Sequence, residues 1–287
     1  MHPKTVLTAA AWLTLATGAL AQSVWLPDQG QLVVTPGYNY QTFDEFLAGK
    51  TKRKLPADIV QQTAYLGLEY GFTPKFAVDV TLGYTRVDFD PPGGSKSTRD
   101  GLDDTRLGLR YRFIDEDAGG RKWVPAVGLR LGGIIAGTYD NPTSLPPINP
   151  GDGANGVEVS LQLGKTFGDT GFGAYSDIGY RWRDHDVPED LFGGVGVFKH
   201  LGPVTLNFGY RHIQGLSGGD IGGPGFGTSY GFPQVKEINQ LLEGGIAYTD
   251  KGGRSYQFTI AQKIDGRNTG DKLVFGAAIS FPIGLVR

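Results

Sequence analysis

The chain has 287 residues, a formal net charge of −2, 46 glycines and no cysteine, and its mean hydropathy is −0.20. The near-neutral charge excludes a general nucleic-acid binder, and the lack of cysteine excludes a disulfide framework, a thiolate metal site and a lipoprotein anchor. An aromatic content of 11% excludes a disordered linker, and glycine without a G-X-Y period excludes collagen.

Residues 1–21 read as a cleaved signal peptide. Lys4 gives the positive start, Thr5 to Leu20 form an apolar-to-small stretch, and Ala19-Leu20-Ala21 is an A-x-A cleavage site. Residues 22–287 then form one exported domain, and no apolar run in it is long enough to cross a bilayer as a helix.

From residue 31 onward the pattern alternates. Leu66-Gly67-Leu68, Leu82-Gly83-Tyr84, Leu107-Gly108-Leu109, Val127-Gly128-Leu129, Ile178-Gly179-Tyr180 and Phe208-Gly209-Tyr210 each set a glycine between large apolar residues. Successive side chains of a strand point to opposite faces, so one face is oily and the other small or charged. Strands are expected at 31–42, 60–71, 75–89, 102–114, 122–138, 156–167, 171–183, 190–199, 203–214, 236–249, 254–265 and 271–283. Most reach the 9–11 residues that a tilted membrane strand needs. The expected fold is therefore all-β: a single transmembrane up-and-down antiparallel β-barrel of about twelve strands.

A soluble barrel with its apolar face inward would also alternate. Three features favour the membrane form. Long connections at 43–59, 90–101, 140–155 and 215–235 alternate with short ones, as outer loops and periplasmic turns do. This places both termini in the periplasm. Tyr70, Phe76, Tyr111, Phe113, Trp123, Phe167, Phe172, Tyr248 and Tyr256 gather near the short turns, and Tyr38, Tyr40, Tyr84, Tyr180, Trp182 and Tyr210 near the opposite ends. Two such belts suit two membrane interfaces. Finally, the face opposite the apolar one mixes glycine with charge, which suits a narrow lumen better than a solvated surface.

The span 102–114 sets the faces. Leu107, Leu109, Tyr111 and Phe113 share one side, and Asp104, Arg106, Arg110 and Arg112 the other. Turning it over would point arginines at lipid, at about 2–4 kcal/mol each near the midplane. On this parity Leu109→Arg should impair assembly, whereas Gly108→Ser should be tolerated. Pro36 lies inside the first span and cannot donate a ladder hydrogen bond. It would weaken the seam with the last span, through a bulge or, more sharply, a lateral opening for apolar solutes. The run Gly276-Ala277-Ala278-Ile279-Ser280-Phe281 has the spacing of the terminal signal read by the barrel-assembly machinery, with Pro282 to Arg287 trailing it.

The stretch Gly101-Leu102-Asp103-Asp104-Thr105-Arg106-Leu107-Gly108-Leu109-Arg110-Tyr111-Arg112-Phe113, preceded by Tyr65-Leu66-Gly67-Leu68-Glu69-Tyr70-Gly71, resembles an outer-membrane family associated by name with the meta-pathway of phenol degradation. The resemblance implies a single barrel covering nearly all of the exported chain. It also implies a part in taking up aromatic or other poorly water-soluble compounds.

Glu69, Asp79, Asp104, Arg106, Arg110, Arg112, Arg130, Glu158, Asp177, Arg181, Arg211 and Glu243 are the candidate lumen-lining residues, joined on the same parity by Arg183 and Lys263. Charges buried in a bore pair with one another, so they form either a structural ion-pair lattice or the walls of a charge-lined pore. One version is a latch of pairs spanning the bore, which Arg130→Ala would release. No catalytic, cofactor or metal site is expected. Asp184-His185-Asp186 reads as a solvated loop, and His212 with Ser217 lacks an orienting acid. The glycine-rich tract 215–231 reads as a mobile outer loop able to fold over the mouth. Lys50-Thr51-Lys52-Arg53-Lys54 reads as a solvated outer loop or a contact for lipopolysaccharide phosphates. The function expected is a passive outer-membrane channel for small solutes in a Gram-negative envelope. The expected partners are membrane lipid, lipopolysaccharide, the assembly machinery and the solute. The alternatives are a plugged structural or surface-interaction barrel and, more remotely, a lipid-modifying enzyme.

Overall fold

The computed structural model describes residues 23–94, 96–139 and 150–284. The signal-peptide expectation for 1–21 lies outside them. The described chain forms β1 (Gln31–Ala48), β2 (Thr51–Thr73), β3 (Phe76–Phe89), β4 (Ser97–Leu102), β5 (Thr105–Ile114), β6 (Ala126–Ile135), β7 (Gly156–Thr166), β8 (Phe172–Arg183), β9 (Asp190–Leu201), β10 (Val204–Gly215), β11 (Ile238–Thr249), β12 (Ser255–Arg267) and β13 (Leu273–Gly284). Each strand pairs antiparallel with its neighbours, and β1 pairs with both β2 and β13, so the sheet closes on itself. β4 pairs with the outer half of β3 and β5 with its inner half, making the two of them one stave broken at Asp103-Asp104. The described chain is thus a closed barrel of twelve staves.

Two expected loops are strand instead. The 43–59 segment continues β1 and β2 into a long hairpin turned at 49–50, where Gly49 takes a left-handed φ of 58°. Cross-strand charge explains why the basic run pairs rather than floats. Lys52 contacts Glu45 and reaches Asp271 at 2.8 Å, and Lys54 reaches Asp44 at 3.6 Å. Opposite charges on facing strands stabilise a ladder. Likewise, β4 occupies the end of the expected 90–101 loop.

The seam at Pro36 holds its register without a bulge. Val34 pairs with Phe281 and Gly37 with Ala278, and only the two intervening residues leave the ladder. There the Thr35 hydroxyl donates to Ser280 Oγ at 3.0 Å, so a side-chain bond spans the gap that proline leaves.

The fold is inverted relative to a soluble domain. Leu109, Tyr111, Val195, Phe208 and Phe258 are exposed on the outer wall, while Glu69, Asp79, Arg110, Arg130, Glu158 and Asp177 are buried inside. Along β3 the outward face changes from Leu82 and Tyr84 to Arg86 and Asp88, which pair at 2.8 Å. That change marks the outer membrane boundary, so the outer ends of β1 to β4 stand clear of the hydrocarbon.

Leu109 is 47% exposed on this outer wall. Leu109→Arg is expected to lower the yield of folded barrel, at about 2–4 kcal/mol for a midplane arginine, read as loss of the heat-modifiable band in gel electrophoresis.

Candidate functional site in the barrel interior

Register brings the charged residues to one level. Glu69 lies opposite Asp79, Asp79 opposite Gly108, Gly108 opposite Gly132, Gly132 opposite Glu158, Glu158 opposite Arg181 and Arg181 opposite Asp190. The two glycines are where guanidinium groups fit. Arg130 extends over both, donating to Asp79 at 2.9 and 3.1 Å on one side and to Glu158 on the other. A Cβ on Gly108 would sit 2.5 Å from Arg130 Nε, and one on Gly132 would sit 2.6 Å from Arg130 Nη1. Arg110 binds Glu69 and approaches Asp79 at 3.4 Å. Arg181 reaches Glu158 at 3.1 Å and Asp190 at 3.7 Å, Arg106 reaches Glu158 at 3.8 Å, and Arg183 binds Asp190 at 2.6 Å and also Asp152.

The result is a continuous belt along the wall from β2 to β9. Its pairs join staves one or two apart, so the expected latch across the bore is not what the charges form. Partners on a curved wall meet at salt-bridge distance without bridging the diameter, which is about 24 Å backbone to backbone for twelve tilted strands.

The remaining candidates fall elsewhere. Asp177 and Glu243 flank Arg211 at 3.7 and 3.5 Å in a separate triad. Asp104 accepts hydrogen bonds from Gly137 N at 2.9 Å, the Tyr139 hydroxyl at 2.7 Å and Asp152 N at 3.1 Å, tying the chain break between β4 and β5 to the following loop. Arg112 sits at the inner rim, held by Asp115 at 3.0 Å and Pro74 O at 2.9 Å. Lys263 pairs with Asp271 at 3.4 Å near the outer mouth. His185 bonds its sequence neighbour Asp184 at 2.6 Å, and His212 stacks on Tyr210. Among the described residues no group of three potential metal ligands converges.

Two features were missed from sequence. The first is the segment 23–30, which lies inside the inner half of the bore. Val24 is 1% exposed and packs against Gly128, while a Cβ on Gly164 would meet Val24 at 2.6 Å and the Trp25 ring at 2.7 Å. Trp25 meets Phe198 edge to face at 5.6 Å, Arg110 donates to Ser23 O at 3.2 Å, and Gly30 N donates to Gly71 O at 2.7 Å. The only signal in the sequence was a short apolar patch before the first strand.

The second is a cavity of about 760 Å³ in the outer half, above the belt. Its apolar wall is the β1–β2–β3 extension, where Ile59 and Val87 cluster with Phe43, Leu55 and Phe89. Arg106, Arg181, Arg183 and Asp190 face them from the other side, and Ile221, Phe232 and Val235 close over the top. The tract expected to be a mobile loop is therefore a pinned cover. Asn268 accepts from Gly49 N at 2.7 Å and Ile221 N at 3.0 Å, and donates to Lys236 O at 2.7 Å. Asp220 accepts from Arg267 Nε at 2.6 Å and from Asn268 Nδ2 at 3.0 Å.

Two outcomes follow. Gly108→Ser, which parity alone would permit, is expected to displace Arg130 and destabilise the barrel by about 1–3 kcal/mol, as overpacking does. Its heat-modifiable transition should fall while that of Gly244→Ala, whose Cβ would meet nothing nearer than 3.8 Å, stays in place. The second concerns the cover. The Arg267 hydrogen bond holds the Asp220 carboxyl below its usual range. A depressed carboxylate stabilises above its unfolded pKa and loses that contribution as pH falls through the folded value. Pepsin should therefore cleave the 222–231 segment slowly at pH 5 and faster only below about pH 4. Asp220→Ala should be cleaved readily at both.

No family model matches this sequence, nor does any curated protein. Solved structures do. The COG4313 outer membrane channel from Pseudomonas putida F1 is 12% identical with a TM-score of 0.71, covering 94% of this chain and 100% of its own. The translocator domain of autotransporter NalP from Neisseria meningitidis is 12% identical with a TM-score of 0.50, covering 89% and 90%. The beta domain of the Bordetella autotransporter BrkA is 14% identical with a TM-score of 0.50, covering 87% and 100%. At these identities the likeness is one of fold, and with the inverted faces it makes this chain a closed antiparallel transmembrane β-barrel of the outer-membrane type.

Proposed function

We propose that the protein is a passive outer-membrane channel that receives small apolar or aromatic solutes in the outer cavity. One observation carries this reading: a cavity of about 760 Å³ presents an apolar wall that projects beyond the membrane boundary. Pockets of this size bury most of a small ligand, and mostly apolar walls supply the affinity. Aromatic solutes fit Phe43, Phe89 and Phe232 better than ions do. The local resemblance to the phenol-degradation family points to the same solute class. Lys50 and Arg53, at the exposed tip of the β1–β2 hairpin, suit the phosphates of lipopolysaccharide.

The N-terminal segment favours a second reading, a plugged barrel with a structural or surface role, because Val24 and Trp25 fill the inner bore. Solute flux separates the two. Proteoliposomes of the unmodified protein should admit naphthalene-sized solutes faster than empty vesicles, and equal rates would leave the plugged reading standing.

The cavity itself is tested by direct binding. Ile59 is 4% exposed within the apolar cluster, so Ile59→Glu places a carboxylate where the solute would lie. Naphthalene affinity, followed by its fluorescence, is expected to fall about tenfold or more, since an unpaired charge in an apolar site costs several kcal/mol. Unchanged affinity in the folded variant would remove the cavity from the solute path.

A further inference from the structure

The interior charges divide into two groups of different character. In the belt, Arg106, Arg110, Arg130, Arg181 and Arg183 face Glu69, Asp79, Asp152, Glu158 and Asp190, so five cations meet five anions. The triad on β8, β10 and β11 has a single arginine between two carboxylates. Its contacts, 3.7 Å from Arg211 to Asp177 and 3.5 Å to Glu243, are longer than the bonds Arg130 makes. The triad thus carries one more carboxylate than cation.

Asp177 is 5% exposed, and neither carboxylate oxygen has a partner closer than the Arg211 contact at 3.7 Å. A carboxylate taken out of water needs a partner. Gly194 lies opposite both Asp177 and Arg211, and Gly209 lies opposite Glu243. The Tyr175 hydroxyl, 2.9 Å from where a Gly209 Cβ would stand, adds a neutral oxygen beside the three groups. Further toward the inner end, the buried Asn207 amide lies beside the Tyr175 hydroxyl, and Gln257 Oε1 and Ser255 Oγ are unpartnered. Buried polar atoms in this state mark a wet surface. They descend along β10 and β12, whereas the described contacts of the N-terminal segment fall on β2, β5, β6, β7 and β9.

We propose that Asp177 and Glu243 form a binding site for a monovalent cation, alkali or ammonium, and that this site makes the polar track along β10 to β12 cation-selective. Arg211 neutralises one carboxylate equivalent and leaves one for the passing ion. A divalent metal does not suit the site, because among the described residues no three ligand groups converge. The selectivity follows from fixed negative charge beside the path, where a counter-ion is favoured and a co-ion is repelled. This goes beyond the apolar cavity and uses none of its residues.

The test uses the full protein in planar bilayers under a tenfold KCl gradient. The unmodified protein should show a reversal potential on the potassium side. Asp177→Asn and Glu243→Gln should move it toward zero, and the double substitution should abolish the preference. Gly244→Ala, beside Glu243 in sequence but without a new charge or a close contact, should leave it unchanged. A preference for chloride, or the same potential in the carboxylate variants, overturns the proposal.

A binding measurement decides the case in which no current flows. The heat-modifiable transition is compared in potassium chloride and in N-methylglucamine chloride at equal ionic strength. A stabilisation by potassium that Asp177→Asn removes supports the site, and no difference between the salts overturns it. If Asp177→Asn does not fold, Glu243→Gln serves in its place, and if neither folds, the salt comparison on the unmodified protein decides. Loss of naphthalene binding with intact cation preference would count against the cavity reading alone.

Discussion

In hydrocarbon, an unpaired peptide group costs several kcal/mol, so a sheet that crosses a membrane must have no free edge. Everything else in this chain follows from that closure. β1 must meet β13 although the paired residues Thr42 and Leu273 lie 231 positions apart (273 − 42). The one residue of β1 in that union without a ladder donor is Pro36, which has no N–H to give. Its register partners stay aligned on both sides, and the Thr35–Ser280 hydrogen bond fills the interval. The closed wall then permits an apolar outside and obliges the inside to solve a problem of crowded charge.

The solution rests on glycine. On a strand flanked by charged strands, a side chain at Gly108 or Gly132 would occupy the space in which Arg130 spans from Asp79 to Glu158. Removing Cβ from alternate positions lets a guanidinium lie flat against the wall and reach a carboxylate on the next stave or the one beyond it. Each belt arginine pairs with carboxylates along the wall, and the space above is left as the cavity. This is why the cavity exists beside so many charges: they are folded down against the barrel.

The interior is thereby layered. Val24 and Trp25 fill the inner half, the belt crosses the middle on one side, and the apolar extension of β1 to β3 frames the outer cavity. The cover is held by polar bonds through Asn268 and Asp220. The apolar residues it carries, Ile221, Phe232 and Val235, face the cavity.

Much of this was legible from residue order alone. The period of two is a local property, set by the backbone of each strand, so the number of staves, the outward Leu109 and the inward Arg110 and Arg130 needed no knowledge of the rest of the chain. Partnership was not legible. Arg110 meets Glu69 across 41 residues and Ser23 across 87, and those distances close only when register is set around the whole barrel. Parity put Gly108 in the bore, but only register showed that Arg130 lies over it. The same limit hid the hairpin at 43–59, whose charges gain their partners across strands, and the segment 23–30, whose place depends on a finished bore with glycines at 128 and 164 to receive it. Sequence thus determined which way each side chain points, because that is decided within a strand. Tertiary structure decided what each one meets, because that is decided between strands far apart in the chain.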